Sequence, residues 1–277
     1  MIRLIKLIIN LGSILILCVG MLYVYARYIE PNLLVTVYEE IEVNSLIKDL
    51  KVVLFADTHF GSLYGEDHME HIVDTINKVE ADFVIFAGDF FDSYQEDQAL
   101  INIEYIKEQL NGIEAKEGKI AIWGNHDKGG SYKVYEEVME DGGFLLLTNE
   151  DFIVDEYNLC IRGLDDYLLG SPNFNTDTLE EDRYNLVVLH EPDASDEMDL
   201  SKIDLLLAGH SHGGQVYIPK ITEQFLPKGA KKYRKGIYEL DSIRGTYLYV
   251  TKGIGLTQLP YRFMNIPEIV VLDLKVL

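Results

Sequence analysis

Cysteine and positive charge are both scarce in this chain. Two cysteines stand among its 277 residues, Cys18 in an apolar N-terminal stretch and Cys160 in a predicted strand. That excludes an internal disulfide framework, and the absence of any CxxC pair excludes a thiolate zinc knuckle. Lys and Arg number 24 against 46 Asp and Glu, a net charge of −22. The first 30 residues hold three basic groups and one acidic group, which leaves 21 against 45, or −24, on the remainder. A field of that sign disfavours loose attraction to nucleic acid or anionic lipid. It leaves a phosphate ester open as substrate, because bound cations invert the charge locally. Internal repeats and low-complexity tracts are also missing. What is there is an ordinary globular balance, 48% hydrophobic and 25% charged, in a chain long enough to form a core without staples.

Residues 7–25, LIINLGSILILCVGMLYVY, form 19 positions without a charge, close to the roughly 20 apolar residues that cross a bilayer core. No small-x-small site follows, and bulky Leu17 precedes Cys18. An uncleaved transmembrane anchor is therefore expected rather than a signal peptide or a lipoprotein. Arg3 and Lys6 precede the span and Arg27 follows it, a small bias towards a cell-membrane protein with its domain outside the cytoplasm. The expected division is an anchor at 1–30, a lead segment with a first strand at 31–50, and one soluble domain at 51–277.

Beyond the anchor, short apolar runs alternate with amphipathic stretches. Strands are expected at 33–43, 52–56, 83–87 and 119–123, with helices at 66–80, 97–111 and 131–141 between or after them. Residues 143–163 suggest two more strands around a turn. Further strands are expected at 185–189, 204–208, 214–218, 236–240, 246–251 and 268–274. Alternating units early and strand-rich units late predict an α/β fold, two sheets packed face to face with helices outside.

Five of these apolar runs stop at residues able to hold a metal ion. VVLFA ends at Asp57 and His59, FVIFA at Gly88 and Asp89, and IAIW at Gly124, Asn125, His126 and Asp127. LVVL ends at His190, and LLLA at Gly209, His210, Ser211 and His212. Ligands collect beyond the carboxyl ends of strands in open α/β sheets. Asp57, His59, Asp89, Asn125, His190, His210 and His212 are N/O donors without thiolate, a set that suits Mn, Fe or Zn. Seven donors exceed one tetrahedral ion and fit two divalent ions sharing a carboxylate, with Asp89 as the bridge. Such a pair lowers the pKa of a bound water towards neutrality and clamps a phosphoryl group for in-line attack. His126 is left over to protonate the leaving oxygen, and Asp92 is placed to orient it.

The series DTH (57–59), GDFFD (88–92), GNHD (124–127), His190 and GHSHGGQ (209–215) resembles the calcineurin-like metallophosphoesterases over residues 50–275. KYRKGIYEL (232–240), LYVTKGIG (248–255), LPYRF (259–263) and PEIVVLDL (267–274) are similar to a branch of membrane-associated bacterial phosphodiesterases. The resemblance implies a four-layer α/β/β/α sandwich of two mixed sheets. It implies one ion on Asp57, His59, Asp89 and His212, and a second on Asp89, Asn125, His190 and His210. It also implies His126 as catalytic acid with Asp92 as its partner.

The function these features predict is a membrane-tethered phosphodiesterase or phosphatase acting on a lipid- or wall-linked phosphate ester, with no nucleic-acid partner; the sequence assigns no oligomeric state. Two alternatives stand beside it: a cytosol-facing pyrophosphatase of the UDP-2,3-diacylglucosamine type, and a non-catalytic scaffold on the same fold. Single residues have plainer readings too. Asp92 can cap a helix, Asp127 can orient its loop, and His68 and His71 fit a solvated helix face. The basic loop 219–235 is either a soluble hairpin or a contact for lipid headgroups.

Overall fold

The computed structural model describes all residues, Met1–Leu277. The first half runs through α1 (Ile2–Val24), β1 (Val35–Val43), β2 (Leu50–Phe55), α2 (Met69–Asn77), β3 (Phe83–Phe86), α3 (Tyr94–Asp97), α4 (Ile103–Asn111), β4 (Gly118–Ala121) and α5 (Tyr132–Asp141). The second half is strands: β5 (Leu145–Leu146), β6 (Glu150–Val154), β7 (Leu159–Gly163), β8 (Tyr184–Val188), β9 (Leu205–Ala208), β10 (Gly236–Glu239), β11 (Tyr247–Val250) and β12 (Glu268–Val276).

Two six-stranded mixed sheets result, in the orders β1-β12-β2-β3-β4-β5 and β10-β11-β9-β8-β7-β6. The period of two along a strand separates their faces. Val52 and Leu54 of β2 meet Leu186 and Val188 of β8 and Leu205 and Leu207 of β9 between the sheets. Val53 and Phe55 turn the other way, onto Ile72 and Ile76 of α2, Ile106 and Leu110 of α4 and Val138 of α5. Each such fully buried side chain contributes about 1.5–3 kcal/mol relative to exposure. The outer face of the second sheet is covered more thinly. Val187, Leu206 and Leu248 pack under Ala194, Met198 and Ile203, which lie in or beside the 3₁₀ turns Pro192–Glu197 and Leu200–Lys202.

The α/β sandwich of two mixed sheets is as expected, with differences in detail. The helix expected at 97–111 is broken: α3 ends at Asp97, and α4 restarts behind Asn102, whose side chain accepts from Tyr105 N at 3.2 Å as an N-cap. Residues 143–163 hold three strands rather than two, because β5 pairs with β4 in the first sheet while β6 and β7 form the hairpin. Residues 214–218 are no strand. Gln215 has φ of 48°, a left-handed backbone that ends extended structure, and one bridge from Val216 to Phe263 is all that remains.

What positions the site is parallel pairing. β2, β3 and β4 run parallel in one sheet, and β8 and β9 in the other. Their carboxyl ends therefore open on the same edge of the sandwich.

At the other extreme of the chain, α1 stands clear of the domain, with no buried residue. The helical stretch Ile2–Asn32 is long and apolar enough to cross a membrane. Its foot is docked. Ala26 O accepts from Arg262 N at 3.0 Å, buried Glu30 accepts from Asn265 N at 2.6 Å, and Tyr23 meets Tyr261 edge-on at 5.9 Å.

Candidate metal centre

Asp57, His59, Asp89, His190, His210 and His212 are all buried in one place. One donor atom each from Asp57, His59 and His212 lies within 4.8 Å of the others, and Asp89, His190 and His210 form a second such group. Asn125 and His126 line the same cavity. Of the seven candidate ligands, five have positive φ: Asp57 (55°), His59 (44°), Asp89 (60°), His210 (67°) and His212 (48°). Non-glycine residues visit that region at a cost, and such strain concentrates where a site needs a particular side-chain direction.

Hydrogen bonds fix which ring nitrogens are free. A carbonyl only accepts, so His190 donates from Nδ1 to Ala87 O at 2.6 Å, and His210 from Nε2 to Lys228 O at 2.9 Å. The opposite nitrogen of His210 keeps its lone pair, while that of His190 faces Asp89 Oδ2 at 3.1 Å, and against the effect of burial Asp89 raises the His190 ring well above its usual range. Asn125 Oδ1 is buried without a hydrogen-bond partner, and His59 Nε2 lies 2.9 Å from His212 Nε2. Burial holds the rings of His59, His210 and His212 below their usual range, so they stand neutral, the form that binds a cation. Burial pushes Asp57 up to about 7. For Asp89 burial acts the same way and is the largest single influence, but the charge and hydrogen bond of His190, with His126 and His59, together outweigh it and hold the carboxyl well below the usual range. Buried carboxylates, unpartnered lone pairs and neutral imidazoles are the donor set a divalent cation fits.

Backbone amides hold the cradle. Asp127 accepts from Asp89 N (2.8 Å), Phe90 N (3.0 Å) and Gly124 N (3.0 Å), tying the loops after β3 and β4 together. This is the orienting role its plainer reading gave it. A Cβ at Gly124 would fall onto the Asp89 carboxylate and backbone nitrogen, so the two loops approach this closely only with glycine there. At Gly253, with φ of 64°, a Cβ would sit 2.6 Å from Asp57 Cβ.

Asp92 stands beside His126, with its carboxylate turned mainly to His59. Its carboxylate lies 3.1 Å from His59 Nδ1 and 3.7 Å from His126 Nδ1, and accepts from Thr257 Oγ1 at 2.7 Å. His126 Nδ1 donates instead to the Asp92 carbonyl at 2.6 Å. His68 stacks on Tyr64 at 4.0 Å and bonds Asn32, away from the centre.

Sequence reasoning passed over three residues. Fully buried Arg262 donates to the carbonyls of Gly255, Lys252 and Asn265 at 2.8–3.2 Å and lies 3.4 Å from His212 Nδ1. Asn265 donates to Gly213 O at 2.6 Å. Gln215 clasps Thr257 and Leu259 through three bonds of 2.8–3.0 Å. The final Q of GHSHGGQ and the R of LPYRF were the available signals. The basic loop is largely spent internally: Lys232 pairs with Asp196 (2.7 Å), Lys235 with Asn265 (2.8 Å), Arg234 with Gly213 O (2.8 Å) and Lys231 with Leu226 O. Lys220 and Lys228 remain exposed.

Residues 50–214 match the model of the calcineurin-like phosphoesterase family. The chain belongs to that family. This phosphoesterase is 35% identical over 266 residues to the uncharacterized metallophosphoesterase YkuE of Bacillus subtilis, covering 91% of this chain and 90% of YkuE. It is 29% identical to an uncharacterized metallophosphoesterase of Helicobacter pylori over 84% of this chain and 62% of that one. It is 25% identical to phosphodiesterase YaeI of Escherichia coli over 90% and 92% of the two chains. Membership makes the protein a phosphoester hydrolase.

Proposed function

We propose that this phosphoesterase is a phosphodiesterase tethered to the cell membrane, with its domain outside the cytoplasm and two divalent cations in its centre. Residues 1–30 anchor it, 31–50 lead into the first sheet as β1, and 51–277 form the hydrolase. The observation that carries the reading is the convergence of two groups of buried donors, Asp57, His59 and His212 and Asp89, His190 and His210, on a cavity that Asn125 also lines. Asp57, His59, Asp89 and His212 would hold one ion, and Asp89, Asn125, His190 and His210 the other. Mn, Fe and Zn all suit these donors. Bound there, the pair would supply Lewis acidity at the phosphoryl oxygens and a water acidified towards neutrality.

The remaining chemistry belongs to the chain. His126 gives a proton to the leaving oxygen. Its Nδ1–H is held by the Asp92 carbonyl, which leaves Nε2 as the atom that carries the proton. The Asp92 carboxylate steadies His59, and Thr257 steadies that carboxylate. The tether rests on the apolar helix Ile2–Asn32 and the charge bias around it.

The test is metal content and hydrolysis of bis(p-nitrophenyl) phosphate by the full chain with added Mn²⁺. Asp89→Asn is expected to lose both uptake of the ions and turnover. Unchanged turnover in that variant would end the two-cation reading.

A further inference from the structure

The metal centre is one end of a larger cavity of about 460 Å³. His59, Asp89, His126 and His212 close the inner end. The outer end is walled by Leu168, Val216, Ile218, Ile221, Phe225 and Leu226. In a chain with 46 acidic residues, the lining holds a single carboxylate, Asp89, and beside the histidines of the centre one lysine, Lys228. Ile221 is 52% exposed, Phe225 78% and Leu259 53%, so the rim presents apolar side chains to whatever enters.

The rim also lies against the anchor. Thr257, Gln258 and Leu259 form one lip, and the same loop continues into Tyr261 and Arg262, which touch Tyr23 and Ala26 at the foot of α1. The mouth therefore opens beside the point where the membrane helix leaves the domain.

Building on the hydrolase reading above, we propose that the outer half of this cavity binds the hydrocarbon tail of a lipid phosphate ester whose phosphoryl group lies at the metal centre. The apolar wall takes the chain, and no carboxylate interrupts it. Each methylene buried multiplies affinity roughly fourfold, from about 0.8 kcal/mol, so chain length is the variable the site responds to.

The experiment places the full chain in lipid nanodiscs with Mn²⁺ and measures kcat/KM for ethyl and dodecyl p-nitrophenyl phosphate, with bis(p-nitrophenyl) phosphate as the chain-free substrate. The readout is the dodecyl-to-ethyl ratio in the natural protein, in Ile221→Asn, in Phe225→Ser and in Ile243→Ser. Ile243 is 93% exposed, lies outside this cavity and serves as the surface control. Partitioning into the bilayer is common to all four proteins and cancels. The ratio is expected to match between the natural protein and Ile243→Ser, and to fall at least fivefold in Ile221→Asn and Phe225→Ser. Equal ratios in all four, with the chain-free diester still hydrolysed, overturn tail binding and leave the hydrolase reading standing. No turnover of any diester overturns the hydrolase reading, and tail binding with it.

Discussion

His59 and His212, 153 positions apart, present their Nε2 atoms to each other at 2.9 Å. Two buried ring nitrogens facing one another need either a proton or a cation between them, and the carboxylates of Asp57 and Asp89 lie 3.5–3.8 Å from the same pair. The first prediction follows from this contact. A cation held at a hundred times its Kd stabilises the fold by about 2.7 kcal/mol, on the order of 5–10 °C in Tm for a domain this size. Calorimetry of the chain stripped with EDTA and then reloaded with Mn²⁺ checks it. Identical melting in the two states would rule out a cation in this position.

His126→Ala separates acid catalysis from positioning. An alkoxide leaving group needs a proton, so loss of the ring is expected to slow an alkyl diester roughly 10²–10⁴-fold. A p-nitrophenolate leaves without one, and the same variant is expected to lose far less on that substrate. Equal losses on both substrates, measured as kcat under saturating metal, would remove the acid role.

Arg262 is a structural pin beside the centre. Its guanidinium is wholly buried, and burial pulls its pKa down to about 10, so it remains charged at neutral pH. Arg262→Met leaves the carbonyls of Gly255, Lys252 and Asn265 short of their donors. At 1–3 kcal/mol for each unsatisfied group, a loss of about 3 kcal/mol or more is expected in urea unfolding. A loss under 1 kcal/mol would show that water or a neighbour replaces the pin.

Lys119 joins two helix ends. Its ammonium donates to Leu110 O at 2.9 Å and Gly142 O at 2.8 Å, at the carboxyl ends of α4 and α5. Burial lowers its pKa to about 8, below the unfolded value of about 10.4. Between those values the unfolded chain binds more protons, so stability rises with pH across that window and levels off below 8, where both states carry the proton. Urea midpoints at pH 7.5 and 9.5 are expected to rise more in the natural protein than in Lys119→Met. Equal increments would contradict the shift.

The meeting of Asp57, His59, Asp89, Asn125, His190, His210 and His212 was legible because each donor follows an apolar run, and parallel strands bring their carboxyl ends to one edge. The roles of Arg262, Asn265 and Gln215 were not. Each satisfies backbone groups of loops distant in sequence, and nothing local marks a residue for that task. The spacing of Asp92 from Asp89 places it beside His126, but does not say which of its oxygens the ring finds, and that oxygen is the carbonyl. The strand expected at 214–218 failed because apolar alternation cannot report the left-handed turn at Gln215.

The docked foot of α1 has a practical consequence for anyone preparing the protein. Trimming the chain ahead of Leu33, which removes the whole apolar helix, also discards the carboxylate of Glu30 and the carbonyl of Ala26. These hold residues 262–265, and that loop in turn braces Gly213 next to His212. A fragment beginning at Ala26 keeps the brace, and one beginning at Leu33 is expected to bind cations more weakly at His212.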